Sequence, residues 1–344
     1  METVPDFDQG SAMSYAHRRS FLRGATGLGV TAGLAHSGEP LGASAARPAP
    51  VAPERRKAID THIHVVHSRI SGGAEEAAPE EGDPLDLPIA RRAEVIRAEL
   101  ESAGIEHALC MPRAPTDDDP LGIRETMELA ALVPGLHPIG IADPRRTDQA
   151  HLDRVEALLQ RRAVKGFKAY LGYLHYGPDS PAYGPYYELA ARYDLPFIFH
   201  TGDTYSHLAK LKYAHPLLVD EAAVDHPKVR FVMAHLGNPW LPDAAEVLYK
   251  NNKHQRSNVW TDLSGFVVGD AAAFRAYRAS GVLKTITEDV RKAFLYAERP
   301  DRFLYGSDWP LAPMATYLDF FREVIPEEHH QAVFHDNARA LFDL

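Results

Sequence analysis

Five times along this chain an apolar run closes on a side chain able to bind a metal or move a proton. The first is Ala58-Ile59-Asp60-Thr61-His62-Ile63-His64, and the others end at Lys168, His200, His235 and Asp308. Runs of this kind fit parallel strands buried on both faces. Side chains two apart on a strand project to the same side, so His62 and His64 aim at one point. In a (β/α)8 barrel the C-terminal ends of the strands open on one face, and ligands placed there by separate strands converge on one pocket.

The ordered set His-x-His, Lys, His, His, Asp resembles that of the amidohydrolase superfamily of metal-dependent TIM barrels. Gly306-Ser307-Asp308-Trp309-Pro310 and Asn337-Ala338-Arg339-Ala340-Leu341-Phe342 are especially similar to its amidohydrolase-related branch. The similarity runs from about residue 57 to the end and implies a (β/α)8 TIM barrel over 57–344. The chain between those motifs alternates strand-like and helix-like segments, as successive βα units would. Strands are expected near 57–62, 107–111, 136–142, 164–171, 195–200, 229–235, 258–265 and 302–308. Helical patterns fit 88–103, 122–133, 147–162, 184–193, 207–225, 241–252, 271–296 and 311–324, with a last helix over about 327–341 packed outside.

Residues 1–45 stand apart from this pattern. Arg18-Arg19-Ser20-Phe21-Leu22-Arg23 resembles a twin-arginine export signal, although His17 and Arg23 depart from its usual residues. A Gly/Ala-rich segment (Gly24 to Ala35) and the small-x-small pattern Ala43-Ser44-Ala45 follow it. That segment is too short and too glycine-rich for a stable membrane span, which needs about 20 apolar residues. The expected route is export by the twin-arginine machinery to the periplasm or beyond, with 46–56 as a linker. The single cysteine, Cys110, excludes an intramolecular disulfide and reads as core. A net charge of −10 argues against nucleic acid or an anionic membrane as partner. The charge says nothing about substrate; the resemblance implies a small molecule. The loop from His67 to Leu87, with its cluster of glutamates, follows the first strand and reads as a solvated surface loop at the barrel mouth, with a lid as the alternative.

A divalent cation of the zinc type accepts imidazole and carboxylate ligands and keeps a position open for water. His62, His64 and His200 can supply three nitrogens and Asp308 a fourth, anionic ligand. The resemblance implies two versions of the centre. In the binuclear one, Lys168 carries CO2 as a carbamate between two metal ions and His235 binds the second. In the mononuclear one, an uncarboxylated Lys168 binds substrate carboxylate and His235 polarises the substrate. In both, Asp308 doubles as ligand and general base. Tyr170, Tyr173, His175, Trp240 and Trp309 are expected to face the substrate, and their aromatic density suggests a cyclic or aromatic one. The implied reaction is hydrolysis of an amide, lactone or ester. The alternative is non-oxidative decarboxylation on the same barrel, and a second rival is an exported binding protein without turnover.

Replacing both Arg18 and Arg19 with Lys should hold the precursor in the cytoplasm while its barrel still assembles, as followed by cell fractionation. Export at the wild-type level would remove the twin-arginine reading.

Overall fold

The computed structural model describes residues 57–70, 82–252 and 258–344. The expected export signal, the linker and the tip of the 67–87 loop lie outside the described residues. Strand β1 (Ala58–Ile63) pairs in parallel with β2 (Ile105–Cys110), and β2 with β3 (Leu136–Pro138). A second run of parallel pairs joins β4 (Gly140–Ile141), β5 (Phe167–Ala169), β6 (Phe197–Phe199), β7 (Phe231–Met233), β8 (Val259–Asp262) and β9 (Phe303–Leu304). Strands β3 and β4 form one barrel position interrupted at Ile139. There the chain changes partner: Ile139 N–H donates to Cys110 and Gly140 N–H to Gly166. The barrel closes between β9 and β1, where Thr61 N–H donates to Tyr305, Asp308 N–H to His62 and His64 N–H to Trp309, at 2.7–2.8 Å. The expected (β/α)8 TIM barrel is therefore the observed one.

Strand alternation divides the apolar residues into two cores. Ile59, Leu109, Met111, Ile139, Ile198, Val232, Ala234, Trp260 and Leu304 fill the barrel, with Leu341 and Phe342 of the last helix packed against them. Phe167, Phe197, Phe199, Phe231 and Phe303 face the helices instead. Cys110 belongs to this outer core, fully buried, and burial pushes its thiol pKa well up.

The helices are α1 (Ile89–Ala103), α2 (Arg124–Leu132), α3 (Gln149–Gln160), α4 (Gly184–Tyr193), α5 (Leu217–Asp225), α6 (Leu241–Asn252), α7 (Ala271–Ser280), α8 (Val282–Ala297), α9 (Met314–Val324) and α10 (Asn337–Phe342). Helix α1 stops as its sequence requires, with Gly104 left-handed (φ 71°) and its N–H on the last carbonyls. Three expected helices change. The helix over 207–225 begins only at Leu217, because Pro216 bars His215 from helical backbone. The one over 271–296 is two helices, broken at Gly281 (φ 85°). The last one is present over 327–342 but not as a regular α-helix: it enters through a 3-10 turn (Glu327–His329) and carries a π-helical stretch (Ala332–Asp336) before α10. Among the described residues, no helix is long and apolar enough to cross a membrane.

One irregularity positions the site. Ile59 points into the barrel, yet His62 and His64, of opposite parity, also reach the pocket. The ladder between β1 and β2 slips between Asp60 and Ile63, which resolves the parity conflict. Asp60 braces this bulge: its Oδ1 accepts His62 N–H at 3.1 Å and Ser307 N–H at 3.0 Å.

Candidate metal centre

His62 and His64 lie at the end of β1, Lys168 within β5, His200 directly after β6, and His235 and Asp308 in the turns that follow β7 and β9. All six meet at one end of the barrel. Asp308 Oδ1 lies 3.7 Å from His62 Nε2 and 3.4 Å from His64 Nε2, while its Oδ2 is 4.0 Å from His235 Nδ1. Lys168 Nζ is 3.4 Å from His62 Nε2, and His235 Nε2 is 3.2 Å from His200 Nδ1. His62 and Lys168 are at most 1% exposed. His235 and Asp308 hold left-handed backbone (φ 63° and 60°), which costs a non-glycine residue about 1–2 kcal/mol. Such outliers concentrate where a site over-determines them. Close approach explains two glycines beside them. A Cβ on Gly265 would sit 2.7 Å from His235 Nδ1, and one on Gly306 would sit 2.9 Å from His62 Cβ.

Asp262, at the end of β8, ties the cluster together. Its Oδ2 accepts from His62 Nδ1 at 3.0 Å, and its Oδ1 accepts from His235 N–H (2.9 Å), Ser264 N–H (3.1 Å) and the Ser264 hydroxyl. It closes an apolar run, Val259-Trp260-Thr261-Asp262, by the same pattern that marked the five other strand ends. It was legible on that signal and is absent from the sequence-based set.

Proton directions follow from these contacts. His62 donates from Nδ1 to Asp262, which leaves its Nε2 lone pair facing Lys168 and Asp308. The Ser264 proton goes to Asp262, so Ser264 Oγ accepts from His235 Nδ1 at 2.9 Å and the His235 Nε2 lone pair is free. His200 Nε2 donates to the Asp203 carbonyl at 2.8 Å, leaving its Nδ1 as a lone pair. Two imidazole lone pairs thus face each other across 3.2 Å, an arrangement that a cation relieves. Two triads within this cluster place ligand atoms within 4.8 Å of one another: His62, His64, Asp308 and His62, His235, Asp262.

The electrostatics keep these groups in their metal-binding forms. Burial, helped by Lys168, pulls His62 down to about 4, and burial also lowers His200 and His235. Burial pulls Lys168 down to about 8. Burial pushes Asp308 and Asp262 up, but the surrounding histidines outweigh it and hold both carboxyls well below the usual range. At neutral pH His62, His200 and His235 are therefore neutral imidazoles and Asp308 and Asp262 ionised carboxylates, donors that suit a divalent cation of the zinc or manganese kind.

The expected substrate-facing residues divide. Tyr173 packs its ring edge-on against His200, centroids 5.0 Å apart, and Tyr170 lies within 5.4 Å of Lys168 Nζ. His175 is exposed, stacked on Tyr213 and bonded to the Leu208 carbonyl, and Trp240 packs on His215. Trp309 is buried in the outer core at 3% exposure, its backbone carbonyl completing the β9–β1 closure.

The model of the family described as amidohydrolase matches residues 59–344. No curated protein sequence matches the chain. Among solved structures, an amidohydrolase from Burkholderia multivorans with bound zinc is 17% identical, with 83% of this chain and 99% of that one covered at a TM-score of 0.57. A 2,6-dihydroxybenzoate decarboxylase from Rhizobium is 17% identical, with 83% and 98% covered at 0.56. A 5-carboxyvanillate decarboxylase from Novosphingobium aromaticivorans, complexed with manganese, is 14% identical, with 83% and 96% covered at 0.56. At these identities the likeness is one of fold.

Asp262→Asn keeps the shape of the residue but removes the charge that orients His62. Affinity for zinc, measured by chelator competition, should fall by about 10–100-fold, as for other partners of ligating histidines. Unchanged affinity would make Asp262 a brace of the strands alone.

Proposed function

We propose that this chain, which belongs to the amidohydrolase family, is a metal-dependent hydrolase that uses water to open an amide, lactone or ester bond of a small cyclic or aromatic substrate. The observation that carries this reading is the position of Asp308. One carboxylate oxygen faces His62 and His64 and the other faces His235, and the group stays ionised at neutral pH. It can therefore take the proton of an attacking water and return it to the leaving group, as a positioned general base does.

His62, His64 and Asp308 would hold one zinc ion. His200 and His235 would hold a second, with Lys168 between them as a carbamate. A divalent cation in such a place polarises a carbonyl and lowers the pKa of water from 15.7 to about 7. Support for the carbamate comes from burial, which lowers Lys168 to about 8 and so raises the fraction of neutral amine able to take up CO2 above that of an exposed lysine. Tyr173, edge-on to His200, is the aromatic residue best placed to contact substrate. Residues 1–45, with Arg18-Arg19, send the enzyme out by the twin-arginine route.

Lys168 also favours a second reading. If it stays uncarboxylated, a buried amine 3.4 Å from His62 Nε2 is a partner for a substrate carboxylate, as a decarboxylase needs. Two of the structures that share this fold are decarboxylases. Turnover in 18O-labelled water separates the readings: one labelled oxygen in the organic product marks hydrolysis, and CO2 release with an unlabelled organic product marks decarboxylation.

Asp308→Asn should lower turnover by about 10²–10⁴-fold with only a modest loss of bound metal. Because the Asp308 carboxyl titrates far below the working range, the variant should lower the pH profile without moving its midpoint. Turnover within about threefold of wild type at full metal occupancy would leave hydrolysis without its base.

A further inference from the structure

The hydroxyl of Tyr170 donates to the carbonyl of Pro112, just past β2, at 2.7 Å. Ser68 Oγ stands between Tyr170 OH and His64 Nδ1, 3.1 Å from each. Ser68 is itself fixed, because its carbonyl accepts Ala114 N–H at 2.6 Å. Three contacts therefore run in series from a main-chain carbonyl to an imidazole nitrogen.

Only one arrangement of protons satisfies all three. A carbonyl oxygen can only accept, so the single hydroxyl proton of Tyr170 goes to Pro112. Tyr170 then meets Ser68 with a lone pair, and Ser68 must donate to it. With that proton used, Ser68 faces His64 as an acceptor, and His64 Nδ1 must carry the hydrogen. That leaves His64 Nε2, 3.4 Å from Asp308 Oδ1, as the ring nitrogen directed at the centre. The opposite tautomer would put an N–H on Nε2 and block the nitrogen that faces the centre. The partner of one ring nitrogen decides which nitrogen of a histidine is free.

We propose that Ser68 and Tyr170 are positioning residues that fix His64 as its Nδ1–H tautomer. The Tyr170 hydroxyl thereby acts on the centre without touching it, a role distinct from the substrate contact its sequence position suggests. That His64 binds metal rests on the functional reading above; the tautomer does not.

The test is nitrogen-15 NMR of the full-length chain, histidine-labelled and stripped of metal by chelator, with the His64 signals assigned by their loss in His64→Gln. Wild type should show Nδ1–H. Tyr170→Phe, which keeps the ring and makes no contact with His64, frees the Ser68 proton to reach His64 Nδ1 and should convert His64 to Nε2–H. Ser68→Ala should do the same by removing the acceptor, while Ser68→Thr should restore Nδ1–H. Zinc affinity by chelator competition should fall about 10–100-fold in Tyr170→Phe and Ser68→Ala and return in Ser68→Thr. An Nε2–H signal in wild type, or an Nδ1–H signal in Tyr170→Phe, would overturn the relay. Conversion of the tautomer with zinc affinity unchanged would uphold the relay and instead remove His64 from the metal centre.

Discussion

A buried carboxylate with four donors on it, Asp262, is the contact on which the rest of the pocket depends. It gathers one ring nitrogen from β1, a main-chain N–H from the end of β7, and both polar groups of Ser264 after β8. A fully buried charge is tolerated only when paired and hydrogen-bonded in this way. The same contacts turn His62 Nε2 and His235 Nε2 into lone pairs facing inward. Removal of the carboxylate would free both rings at once, and it would also withdraw the acceptor of the His235 N–H.

The pocket is thus built in two concentric sets of groups. The inner set consists of neutral imidazoles, one lysine and the Asp308 carboxylate. The outer set, Asp262, Ser264, Asp203, Ser68, Tyr170 and Asp60, supplies the direction of each inner lone pair or the bend of the strand beneath it. Apart from Asp60, which lies within β1, each member of the outer set comes from a strand end or the loop after it, as expected of a barrel whose strands deliver their C-terminal residues to one face. Proton placement, not metal-ligand identity alone, is what this fold fixes.

Much of this was legible in the chain. The five strand ends named His62, His64, Lys168, His200, His235 and Asp308, and the barrel brings all six together. Asp262 was equally available, since its strand ends by the same rule. The bulge at Asp60 was not, because a shift of pairing depends on the neighbouring strands and leaves no mark on local periodicity. Nor was the placement of His175, Trp240 and Trp309, because a loop's position after a strand does not say which way its rings turn. The helix errors were local: Gly281 and Pro216 interrupt patterns whose apolar spacing continues through them.

The most direct test of the account is a crystal structure of the zinc-loaded protein with anomalous data at the zinc edge. The account predicts one anomalous peak at bonding distance, about 2.0–2.2 Å, from His62 Nε2, His64 Nε2 and Asp308. It predicts a second peak between His200 Nδ1 and His235 Nε2, with density for a carbamate on Lys168. A zinc ion bound elsewhere, or a fully loaded protein with His62 and His64 turned away from the ion, would contradict it.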